Sequence, residues 1–251
     1  GKWTQKMEVL HRQEVARAQA LPCTMRPVGE SAETHKRMGA SMDGTMIHIR
    51  EEGWKETKVG CVYDVETRQG TDPVTHERIE VGGAVDSSYV AHLGGPEGLG
   101  QALWAEARQR DWMMAAESQV IGDGAAWIWN LAEEHFYTSH RTVDFYHAVE
   151  HLAEVARLLY EEGTPAHARW LSRTKALLYQ GDVRRVISAI ELGIRRKPAL
   201  APALTREAGY FQHNESRMNY LQMRNEGWLL GSGTVESGGK QIKARLAGPG
   251  M

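Results

Sequence analysis

Ten residues, Val120-Ile121-Gly122-Asp123-Gly124-Ala125-Ala126-Trp127-Ile128-Trp129, constrain this chain more than any other stretch. A short apolar run ends in an acid set between two glycines. Trp127, Ile128 and Leu131 then recur at helical spacing. The pattern reads as a buried strand, a sharp turn carrying a carboxylate, and a helix leaving it. Such a unit belongs to α/β folds, which place chemistry in the loops at strand ends. The plainer use of Asp123 is to cap the helix.

The same logic recurs upstream. Ser41-Met42-Asp43-Gly44 leads into Thr45-Met46-Ile47-His48-Ile49-Arg50, where Ile47 and Ile49 alternate as in a half-buried strand. The alternative there is a type I′ hairpin turn at Asp43-Gly44. A third acid, Glu236, lies in Gly231-Ser232-Gly233-Thr234-Val235-Glu236-Ser237-Gly238-Gly239-Lys240, ahead of the amphipathic Gln241–Leu246. Only a fold could bring these three carboxylates together.

Taken in order, Trp3 to about Ala20 is predicted helical, and Leu21 to Met38 reads as a linker. Strands are expected at about Ala40–Arg50, Lys55–Val65 and Arg78–His92, in a meander. Pro96 opens a helix to about Ala116. The Val120 strand, a helix to about Tyr137 and a short strand over Arg141–His147 follow. Strand, strand, strand, helix, strand, helix, strand is the order of a ribonuclease H-like mixed sheet, with the acids of its first and fourth strands side by side. From Ala148 to about Arg224 the signal is helical throughout, the fourth helix running from Phe211 to Met223. The predicted organisation is an N-terminal helix and linker over 1–38 and a first part of the core over 39–147. An all-helical insertion over 148–224 precedes Glu236, and the last part of the core, expected to be truncated, covers 225–251.

A net charge of −2 gives no global attraction to nucleic acid or acidic lipid. Cys23 and Cys61 form no CxxC motif, and no stretch approaches a membrane span or a secretory signal. A reducing, cytoplasmic location with no membrane partner is the expectation.

Four segments taken together resemble a known family. Ser41-Met42-Asp43-Gly44, Gly122-Asp123-Gly124-Ala125-x-Trp127-Ile128, Asp144-Phe145-Tyr146-His147-x-x-Glu150-His151-Leu152 and Gly231-Ser232-Gly233-x-Val235-Glu236-Ser237 look like a DDE transposase of bacterial insertion sequences. The likeness is to the ISKra type, related to Mutator-like and hAT-like transposases, and runs from Gly39 to the C-terminus. It implies Asp43, Asp123 and Glu236 as catalytic acids and an Asp-x-x-His signature at Asp144 and His147. It also implies transposon-end and target DNA as partners, and a homo-oligomer on DNA.

The residue types suit that chemistry independently. Three carboxylates can hold two Mg²⁺ ions, typically about 3.5–4 Å apart, with Mn²⁺ as substitute, and need no His or Cys ligand. Lys240, Lys243 and Arg245 are candidate phosphate contacts or simply a solvated helix face. Trp228 is a candidate for stacking on an unpaired base, or a core residue. Arg169, Arg173, Lys175, Arg184, Arg185, Arg195, Arg196 and Lys197 of the helical segment, expected to wall a DNA channel, are further phosphate candidates or solvated charges. Two rival readings remain. His147-Ala148-Val149-Glu150-His151 spells the H-x-x-E-H signature of an inverzincin zinc protease, or places two histidines on a core-facing helix. A non-catalytic DNA-binding relic of a transposase is the other.

Overall fold

The computed structural model describes residues 36–49 and 51–246, with a few positions between 9 and 17. The predicted first helix and linker therefore lie largely outside the described residues. Side chains are described as far as Gln241, so those of Lys243 and Arg245 also lie outside.

Five strands form one open, mixed sheet: β1 (Arg37–Ile49), β2 (Gly53–Thr71), β3 (Arg78–Leu93), β4 (Glu117–Gly122) and β5 (His140–Val143), in the order β3-β2-β1-β4-β5. The meander β1–β2–β3 is antiparallel, while β4 and β5 add in parallel beside β1. Parallel neighbours need a crossover, and helices supply it. α1 (Pro96–Gln109) precedes β4, and α2 (Ala126–His135) joins β4 to β5. The expected order of these seven elements is the order observed.

Several boundaries differ from expectation. The β1–β2 turn lies at Glu51–Gly53, where Glu51 and Gly53 take φ of 71° and 76°. Asp43-Gly44 is thus no hairpin turn but mid-strand, paired with Val59 and Lys58. α1 stops at Gln109, and Asp111 turns left-handed (φ 61°) into a short 3₁₀ turn at Trp112–Met114. The predicted strand over Arg141–His147 ends at Val143, because Asp144 accepts hydrogen bonds from the Tyr146 and His147 amides and so starts a helix. That helix, α3 (Phe145–Leu159), is followed by α4 (Pro165–Tyr179), α5 (Val183–Arg196) and α6 (Ala201–Asn214). The single helix expected over Phe211–Met223 is broken. α6 ends at Asn214, a 3₁₀ turn spans Glu215–Arg217, and α7 (Tyr220–Asn225) follows. α8 (Gly233–Leu246) carries Glu236 in its first turn.

Side chains alternate across the sheet, so the two faces of β1 bury different partners. Met38, Ala40 and Met42 pack with Leu99 and Leu103 of α1, Ile128 of α2 and Leu152 and Val155 of α3. This core continues without a break into Leu178, Ile190, Leu204 and Phe211 of the later helices. The opposite face holds Val59, Cys61 and Tyr63 of β2 against Met223, Trp228, Leu229 and Val235. Gly39 of β1 lies under the Tyr63 ring, where no Cβ would fit.

Candidate active site

The parallel ladders set three acids at one level. β1 pairs with β4 as far as Ser41 opposite Ile121, and β4 with β5 as far as Gly122 opposite Val143. One or two residues beyond those pairs come Asp43, Asp123 and Asp144. Open α/β sheets bind ligands outside the carboxyl ends of their parallel strands, and these acids occupy that edge.

Local sequence fixes each one. Asp43 stays in β1, which outruns β4 and continues paired to β2 alone, and its Oδ1 accepts the Gly44 amide at 2.7 Å. Asp123 sits in the tight turn, its Oδ1 accepting the Ala125 amide at 2.8 Å. The turn needs glycine at 124: φ is 105°, and an added Cβ would stand 2.8 Å from the Tyr210 ring. Asp123 therefore does shape the start of α2, through one oxygen, although Ala125 occupies the N-cap itself.

Glu236 reaches the same cleft from α8. The cleft holds about 1280 Å³, and Asp43, Asp123, Asp144, His147, Glu150 and Glu236 all line it. Burial raises the Asp43 carboxyl above the usual carboxylate range, and the negative charges of Asp123 and Glu236 add to the rise. The Gly44 amide and His147 oppose it. Asp43 is thus near enough to feel the charge of the other two predicted acids. Among the described residues, no group of three His, Cys, Asp or Glu side chains is set to hold a metal ion as it stands. The fold brings the acids to one cleft without closing them into a cage.

The remaining predicted residues divide. Lys240 lines the cleft and is exposed, as is Arg68, while the half-buried Arg224 also lines it with its guanidinium 3.9 Å over the Tyr179 ring; the sequence did not single out either arginine. Trp228 is only 1% exposed, and the Arg37 guanidinium covers its ring at 3.7 Å from the centroid. Of the two readings left open for Trp228, this burial favours the core residue over the base-stacking one. Arg184 and Arg185 are engaged with Glu215 and Asp182, at 2.7 and 3.2 Å.

His147 and His151 share a helix face, their rings edge-on with centroids 5.2 Å apart. His147 Nδ1 lies 3.4 Å from Glu150. His151 Nδ1 lies 2.6 Å from the buried Glu207, and its ring stacks on Tyr210 at 3.7 Å. The Tyr210 hydroxyl donates to the Asp123 carbonyl at 2.9 Å. Burial, with the charges of Asp123, Asp144, Glu150 and Glu207, raises the Tyr210 phenol and keeps it a donor. This chain from Glu207 to the Asp123 turn escaped sequence reasoning, since Tyr210-Phe211 looks like any apolar helix pair. Ser232, whose amide and hydroxyl both donate to Asp144 Oδ2, escaped too, although its Gly-Ser-Gly context marks a turn.

No model of a known protein family matches this chain, and no curated protein matches it.

Proposed function

We propose that the cleft is the active site of a DDE-type DNA transposase on a ribonuclease H-like core, hydrolysing phosphodiester bonds at transposon ends and transferring strands to target DNA. The observation that carries this reading is the convergence of Asp43, Asp123 and Glu236. Segments up to 193 residues apart in the chain supply carboxylates to one cleft at the strand ends, and Asp43 feels the other two.

The donor set fits Mg²⁺ or Mn²⁺. All three groups offer hard oxygen ligands, and a divalent cation would offset both the burial that chiefly lifts Asp43 and the acidic neighbours that add to it. Asp43, Asp123 and Glu236 would hold it, and when bound it supplies an activated attacking oxygen and charge stabilisation at the leaving 3′-oxygen. The chain's own groups do the rest. The rigid β1 and β4 fix two carboxylates, while α8 brings the third. Lys240, Arg68 and Arg224 offer positive charge along the same cleft to DNA phosphates. Two copies on paired DNA ends fit this reading of the partners.

DNA nicking in Mg²⁺ or Mn²⁺ tests it. Asp123→Asn should lower the rate about 10³-fold, the loss of several kcal/mol of charge stabilisation, with the fold intact by circular dichroism. Wild-type rates in that variant would exclude Asp123 as a ligand. Peptidase activity with zinc, lost in His151→Ala, would support the protease reading instead.

A further inference from the structure

Asp144 belongs to no step of the proposed chemistry, yet it is 2% exposed and fully engaged. Its Oδ1 accepts the Tyr146 and His147 amides at 2.6 and 3.1 Å, capping α3. Its Oδ2 accepts both the amide and the hydroxyl of Ser232, at 2.6 and 2.5 Å, from 88 residues further along the chain. Ser232 in turn leads into α8. Its carbonyl accepts the Val235 and Glu236 amides at 3.0 and 3.3 Å, and its hydroxyl lies 3.5 Å from the Glu236 carboxylate.

The segment before Ser232 is fastened in the same direction. Gln119 Nε2 donates to the Leu229 carbonyl at 2.9 Å, and the Phe145 amide donates to the Leu230 carbonyl at 2.8 Å. Glycines flank Ser232 on both sides, so its backbone has little stiffness of its own. The first turn of α8 is held by this carboxylate together with the buried Val235 and the Tyr89 hydroxyl, which donates to the Thr234 carbonyl at 3.3 Å, and of these only the carboxylate bonds Ser232.

We infer that Asp144 is a positioning residue: one oxygen fixes α3, the other clasps Ser232, and the clasp sets Glu236 opposite Asp43 and Asp123. The inference rests on reading the cleft as a metal-dependent active site, but its structural half stands apart from that reading. A buried carboxylate accepting from four donors is a stiff anchor, because each charge-assisted bond is stronger than a neutral one. Groups that orient a metal's ligands commonly change its affinity about 10–100-fold when removed.

Asp144→Asn separates the two halves of the anchor. The amide oxygen still caps α3, since Asn is as good a cap as Asp. The amide nitrogen cannot accept from Ser232. Amide hydrogen exchange should then quicken about tenfold at Val235 and Glu236 and stay unchanged at Tyr146 and His147. Mn²⁺ binding, followed by electron paramagnetic resonance of the free ion, should weaken about tenfold. Glu236→Gln should weaken it as well, and adding Asp144→Asn to that variant should cause no further loss, because Asp144 acts through Glu236. Ser232→Ala should repeat the effect in milder form, and Ser232→Thr should restore it. Unchanged exchange at Val235 and Glu236, or additive losses of Mn²⁺ affinity, would overturn the inference. Wild-type protein that binds no Mn²⁺ would overturn the active-site reading instead, leaving the exchange data alone to decide the clasp.

Discussion

The two faces of the sheet are built to different ends. On the side of α1, α2 and α3, β1 contributes Met38, Ala40 and Met42 to a continuous apolar core. On the other side the next residues in line are Gly39, Ser41 and Asp43. There Ser41 bonds the Tyr63 hydroxyl at 3.0 Å, and Gln119 bonds Thr142 at 2.9 Å. A strand that alternates Met-Gly-Ala-Ser-Met-Asp thus gives one face to the larger apolar core and sets a polar site on the other, beside the smaller cluster of Tyr63, Trp228 and Val235. The difference teaches why the acids can sit there at all. A carboxylate on the apolar face would meet no donors, whereas the second face offers amides, hydroxyls and an open cleft.

Substitutions on the two faces should therefore move stability and activity in opposite senses. The largest stability effect is expected at Leu103, whose side chain from α1 lies over Gly60. Leu103→Ala should cost about 2–5 kcal/mol through lost burial and the cavity left behind. DNA nicking at a temperature where the variant remains folded should stay near wild type, as urea titration and a nicking assay will show.

Asp43→Asn should do the reverse. Burial first, and its acidic neighbours second, raise the Asp43 carboxyl, so its ionised form at neutral pH costs the fold free energy. Removing that charge should stabilise the protein by about 0.5–2 kcal/mol while abolishing nicking. The gain should be present at pH 7, shrink as the pH falls through the raised value of the folded state, and be gone by the ordinary value of about 4, below which the carboxyl is neutral folded or unfolded. Thermal unfolding across pH measures this. A gain that persists at acid pH would show that the effect is not the charge.

The smallest effect is expected where the faces communicate. Tyr210 comes from the helical segment yet supports the Asp123 turn. Tyr210→Phe keeps the ring against His151 and removes one hydrogen bond, worth about 0.5–1.5 kcal/mol. A several-fold fall in nicking with that modest loss would place the helices in service of the turn. A fall in stability alone would confine them to packing.

Much of this was legible in the sequence, and the failures have physical causes. Asp123-Gly124 and the Gly-rich entry to Glu236 announce chain reversals beside acids, and the alternation after Asp43-Gly44 announces the strand that carries the first acid, so the elements of the cleft could be placed in order. Register could not, because the pairing of Ser41 with Ile121 is set by packing between segments 80 residues apart. Asp144 was read into a strand because Phe145 and Tyr146 favour strands, and a capping bond is invisible to propensity. The helical segment looked separate because its helices are amphipathic in their own right. Phe145, Leu152 and Val155 nonetheless join it to the sheet in one core. Trp228 carries aromatic bulk that suits a base or a core equally, and only its burial beneath Arg37 decides between them.

The most direct test of the central claim is the location of bound Mn²⁺ by anomalous scattering from crystals soaked in the ion. The account predicts a peak within coordination distance of the Asp43, Asp123 and Glu236 carboxylates, lost in Asp123→Asn. A peak at His147 and His151, or none at the strand ends while the ion binds elsewhere, would contradict it.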